Sequence, residues 1–80
     1  MPLIVGEDMP RRTALTDREQ QVLALLAVGL DVPRIASDLG ISQNRVREIV
    51  KQIRGKLGLP REAEIKEIVA AGRKAGYLSD

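Results

Sequence analysis

Between Ile41 and Leu57 the apolar residues Val46, Ile49, Val50, Ile53 and Leu57 recur at i, i+3, i+4, i+7 and i+11. That spacing is the stripe of one helix face, and a strand, with its period of two, does not produce it. Ser42 stands just ahead of the stripe, where a hydroxyl satisfies the first free N–H groups of a helix. The rest of this helix surface is basic: Arg45, Arg47, Lys51, Arg54 and Lys56 stand against one acid, Glu48. One side of such a helix belongs in a core. The other belongs against something negatively charged, which predicts a DNA-recognition helix with the other segments as its support.

Eighty residues make one small domain, and a chain of that length buries only about 60% of the surface it exposes when unfolded. Cysteine and histidine are both absent, so no disulfide and no thiolate or imidazole metal site can reinforce it. The carboxylates do not cluster as ligands, so neither a metal nor any other cofactor is expected. Helix packing and oligomerisation remain as sources of stability. Net charge is +2 overall, yet residues 43–57 alone carry five basic side chains and one acid, while residues 61–80 balance. A basic stripe on a balanced chain points to nucleic acid better than net charge does. Tyr77 is the one aromatic residue, which disfavours single-stranded targets that need stacking platforms and leaves duplex DNA. Neither a membrane span nor a secretory leader is legible, so a cytoplasmic location is expected. Without a Cys or His nucleophile or base, a glycine-rich phosphate loop or a paired-carboxylate site, enzymatic activity is not expected.

In chain order, residues 1–14 lack a sustained period. They read as a flexible arm or, alternatively, as a basic arm whose Arg11 and Arg12 reach a DNA backbone. Thr16 followed by Glu19 is a capping box, and Val22, Leu23, Leu26 and Ala27 supply the inner face of a first helix stopped near Gly29. Asp31 caps a second, short helix with Pro33 in its first turn and Ile35, Ala36 and Leu39 facing inward. Gly40 closes that helix and Ser42 opens the third, so two helices flank a three-residue turn that contains glycine, the helix-turn-helix pattern. After Leu59-Pro60 a fourth helix follows, with Ile65, Ile68 and Val69 on its apolar face and an end near Gly76. Gly72 within it is either a tolerated weak spot or the mark of a close helix contact.

Leu15-Thr16-Asp17-Arg18-Glu19, Val22-Leu23, Leu25-Leu26-Ala27, Gly29, Ile35-Ala36, Leu39, Ile41-Ser42, Val46, Ile53 and Lys56-Leu57 stand in the order and spacing of the LuxR/GerE-type helix-turn-helix. The chain resembles that family over residues 15–59. The resemblance implies an all-α, four-helix DNA-binding domain of bacterial or phage transcription, occupying residues 15–80. In it the third helix (43–57) enters the major groove and the fourth commonly forms a homodimer contact. In this chain Ile65, Ile68, Val69 and Tyr77 either all pack into the chain's own core or form a face too wide for it, and the second reading, preferred here, puts Ile65, Ile68 and Val69 against a second copy across a two-fold axis. Most members carry a receiver or ligand-sensing domain as well; this chain would be free-standing. It departs from the family where Arg45 replaces a usual Thr, Arg47 a usual Lys and Ile49 a frequent His, and where Arg61-Glu62 follows Pro60.

The family positions that read bases correspond to Arg47, Glu48 and Lys51. A forked Arg can donate twice to guanine O6 and N7. Glu48 either accepts from cytosine N4 or pairs with Arg45 or Lys51, each three residues away. Ser42, Asn44, Arg45, Arg54 and Lys56 are placed for phosphate, which gives affinity without sequence information. Gly55, on the polar side, either admits a partner backbone or is a tolerated defect. The competing class is a protein-interaction module similar to sigma-factor region 4, binding RNA polymerase or another regulator.

Overall fold

The computed structural model describes residues 14–78, and the expectations for the arm, Arg11 and Arg12 included, lie outside them. Four helices, α1 (Asp17–Ala27), α2 (Val32–Leu39), α3 (Gln43–Lys56) and α4 (Ile65–Lys74), follow in order, with no strand among the described residues. The fold is all-α, as the sequence predicts.

Each start is local chemistry. Thr16 Oγ1 accepts from Glu19 N at 3.2 Å and Glu19 Oε1 accepts from Thr16 N at 2.9 Å, so the capping box is complete. Asp31 Oδ1 accepts from Arg34 N at 3.2 Å, and Ser42 Oγ from Arg45 N at 3.0 Å. Only α4 begins without a side-chain cap, at Glu64.

All four ends share one device. After α2, Ile41 N donates to Ala36 O at 3.0 Å and Gly40 N to Ser37 O at 3.3 Å, the paired bonds of a Schellman motif. Gly40 has φ +69°, a conformation that L side chains adopt only with strain. The same pair of bonds closes α1 at Gly29-Leu30, α3 at Gly58-Leu59 and α4 at Gly76-Tyr77. In every case the residue after the glycine packs against the core. The turn that reverses the chain thus also plugs the base of the helix it ends.

α1 lies centrally, against each of the other three helices, while α3 packs on α1 and α2. Val22, Leu23, Ile35, Val46, Ile53 and Ile68 are fully buried, with Ile49 and Val50 nearly so. Each such side chain contributes about 1.5–3 kcal/mol of apolar transfer. Ile49 is therefore core, where a histidine would have to leave a polar group unsatisfied or reach solvent. Gly72 decides how closely α4 approaches α1: a Cβ there would sit 2.7 Å from Leu23 Cδ2. The chain then folds back, and Tyr77 Oη accepts from Leu15 N at 3.1 Å, joining the two ends of the domain.

Ile68 corrects an expectation. It is fully buried within its own chain, so it cannot also meet a second copy. Ile65 remains exposed and Val69 is half-buried against the core. The α4 stripe expected to serve a dimer is divided, with its centre committed to the monomer.

Candidate nucleic-acid interface

α3 turns its apolar stripe into the domain and leaves Gln43, Asn44, Arg45, Arg47, Glu48, Lys51, Gln52 and Gly55 exposed. At roughly 100° per residue, Gln43, Arg47, Lys51 and Arg54 run along one flank. Arg45, Glu48 and Gln52 run along the other, with Asn44 and Gly55 between them. Nothing lies within 4 Å of the position a Gly55 Cβ would take, so the face is open at that turn.

The two flanks are electrostatically different. On one, Arg45 Nη1 pairs with Glu48 Oε1 at 3.3 Å, between side chains that are both more than half exposed. Such an i, i+3 pair contributes a few tenths of a kcal/mol at most, but it occupies the acid. On the other, Arg47 Nη1 donates to Asn44 Oδ1 at 3.0 Å, and Nη2 makes a long contact to Gln43 Oε1 at 3.5 Å. Lys51 is exposed and forms no ion pair among the described residues. Positive charge is therefore uncompensated along the Arg47–Lys51 flank.

The C-terminal cations of α3 behave otherwise. Lys56 Nζ donates to Glu19 Oε1 at 2.8 Å and to Ala14 O at 3.3 Å. Glu19 is only 4% exposed. Burial alone raises its pKa; the bonds from Lys56 and Thr16 outweigh that and hold the carboxyl below the ordinary glutamate value. The sequence assigned Lys56 to phosphate, and the structure instead makes it the counter-charge of a buried acid, because α1 delivers Glu19 to the end of α3. Arg54 is half-buried, and its Nη1 donates to Arg61 O across the α3–α4 loop, while its Nε is buried without a partner. Its guanidinium ties the loop down instead of standing clear for phosphate.

A three-residue turn between α2 and α3, an α3 with one face buried and a basic flank outside, and α1 bracing both helices are the parts of a helix-turn-helix. Residues 13–69 match the family model described as "Bacterial regulatory proteins, luxR family". The chain belongs to that family. A protein of Aeromonas salmonicida named "Putative HTH-type transcriptional regulator in exeN 3'region" is 47% identical over 51 residues, 64% of this chain and 26% of that protein. The chain thus spans about a quarter of that relative's length. No solved structure matches it.

Within this LuxR-type domain, the structure gathers Arg47, Glu48 and Lys51 with Ser42, Asn44 and Arg45 on the exposed N-terminal two-thirds of α3. It separates Arg54 and Lys56 from them. Gln43 was not singled out from sequence, although an amide four residues before an arginine on one helix is a recognisable spacing. The Glu19–Lys56 pair spans 37 residues, and no local pattern announces it. No group of metal-ligating side chains occurs among the described residues, and no helix there is long and apolar enough to cross a membrane.

Proposed function

We propose that this LuxR-type domain binds duplex DNA sequence-specifically and regulates transcription, with the exposed face of α3 in the major groove. The observation that carries this is the division of α3: its inner face is fully committed to the core, and its outer N-terminal face presents Arg47 and Lys51 with no acid paired to either. Arg47 reads a base edge and Lys51 reads or approaches its neighbours. Glu48, paired to Arg45 in the free protein, reaches cytosine N4 only by leaving that pair. Ser42 and Arg45, at the same end of α3, approach the phosphates flanking the groove. Residues 15–80 act as the binding domain.

Two copies pair through α4, with Ile65 at the contact and the exposed edge of Val69 beside it; Ile65 is 42% exposed, one of two large apolar side chains so placed among the described residues. A two-fold pair reads half-sites roughly 34–36 Å apart. Selection of bound duplexes from a random library with purified protein, repeated across salt concentrations, tests both parts. The expected result is an enriched palindrome with affinity falling steeply as salt rises, by about 0.9 in log–log slope for each phosphate neutralised. Binding without any preferred sequence would sink the sequence-specific reading. Sedimentation of Ile65→Asp, expected to be monomeric where the parent chain dimerises, tests the pairing.

A further inference from the structure

We propose that Asn44, backed by Gln43, is a positioning residue for Arg47, and that the half-site read by α3 therefore carries a G·C pair beneath Arg47 with guanine as its required base. This rests on α3 being the major-groove helix. The sequence placed Asn44 against phosphate; its geometry gives it a different task.

A guanidinium has five N–H donors and no acceptor, so the groups that hold it must present oxygen. Asn44 Oδ1 takes one hydrogen of Nη1 at 3.0 Å, and Gln43 Oε1 lies 3.5 Å from Nη2. Three donors remain, one on each Nη and the Nε–H. They suffice for the two parallel bonds to guanine O6 and N7, the bidentate contact that distinguishes guanine from the other bases. Both acceptors lie in the preceding turn, so the fork is drawn toward the N-terminal end of α3, the end whose residues meet base edges in helix-turn-helix proteins. Arg45 is drawn the other way by Glu48. The acid on this face is thus occupied by a different arginine, and Arg47 is oriented by neutral groups that leave its full charge for DNA.

The energetic consequence is pre-organisation. An exposed arginine otherwise loses rotamer freedom on binding; a fork already held loses less. The contact to Asn44 is ordinary in length and the one to Gln43 is long, so Asn44 carries most of the effect.

The test uses the full chain and duplexes differing only at the base pair assigned to Arg47. Dissociation constants for guanine and adenine at that position are measured at several salt concentrations. Asn44→Ala, Asn44→Asp, Arg47→Ala and the Asn44→Ala/Arg47→Ala double variant are compared with the parent. Asn44 is exposed, and unchanged thermal melts confirm intact folds. Arg47→Ala should erase a guanine preference of about 5- to 150-fold. Asn44→Ala should reduce that preference by about two- to twelvefold without altering the salt slope. Asn44→Asp, which keeps the acceptor, should retain the preference even as added negative charge weakens binding to all sequences. In the Arg47→Ala background, removing Asn44 should change nothing further. The proposal is overturned if Asn44→Ala weakens guanine and adenine duplexes alike, with a smaller salt slope that persists without Arg47, since Asn44 would then touch phosphate itself. It is equally overturned if Asn44→Asp loses the preference. A parent chain with no base preference anywhere on its duplexes fails the major-groove reading instead, an outcome separable from either.

Discussion

The two ends of α3 carry similar charge and use it differently. Arg45, Arg47 and Lys51 stand on exposed turns, held at most by short contacts within the helix. Arg54 and Lys56 reach out of the helix to other parts of the chain, one to the α3–α4 loop and one to a buried acid on α1. A charge count over the helix treats all five alike. Whether a cation faces a partner or braces the scaffold depends on what the neighbouring elements bring within about 3 Å of it. At the end of α3 nearest α1 that is a carboxylate; at the other end it is solvent.

Removing the scaffold cation should give the largest effect. Lys56→Ala leaves Glu19 buried without its counter-charge and should cost about 1–3 kcal/mol. Each kcal/mol appears as roughly 4–8 °C in Tm for a domain of this size. The salt slope of DNA binding by the folded variant should stay that of the parent. A Lys56→Ala protein with unchanged Tm and a slope reduced by about 0.9 would place Lys56 on the DNA after all.

Acid should reach the same contact from the other partner. Because the folded-state pKa of Glu19 lies below its ordinary value of 4.5, its contribution is fully present above that value and is lost as pH falls through the folded one. Thermal melts between pH 7 and pH 3 should show Glu19→Gln starting less stable and falling less steeply than the parent below about pH 4.5. Parallel curves would mean that the pair does not contribute.

Arg54→Ala should cost about 1 kcal/mol or less, since a charged donor to Arg61 O is lost while an unpartnered buried Nε is removed with it. Base preference should be unchanged. Lys51→Ala is the mirror of Lys56→Ala: stability within about 0.5 kcal/mol of the parent and DNA affinity reduced, read by melting and titration side by side. Smallest is Arg45→Ala, whose exposed pair with Glu48 is worth about 0.2–0.5 kcal/mol. If freeing Glu48 shifts the preferred sequence toward cytosine at one position, that carboxylate reads a base.

Ser42, Thr16 and Asp31 cap their helices as the sequence predicts, because a cap needs only a side-chain oxygen and an N–H three residues away. The glycine and apolar pairs at Gly29, Gly40, Gly58 and Gly76 end the helices for equally local reasons. The stripe through Val46, Ile49, Val50 and Ile53 is buried as its period requires. Ile68 shows where the pattern runs out. Period alone makes Ile65, Ile68 and Val69 one face, but the angle at which α4 meets α1 decides which of them faces inward.

The sequence by itself determined the four helices, the caps of the first three and the buried faces of those three, since propensity, capping and periodicity act over a few residues. It also determined that the third helix would be basic outside. Only the tertiary structure decided the work of individual side chains. Lys56 meets Glu19, Tyr77 meets Leu15 and Gly72 meets Leu23 across 37, 62 and 49 positions. Those meetings depend on how helices dock, which is set by the packing of the whole core and not by any stretch of the chain read alone.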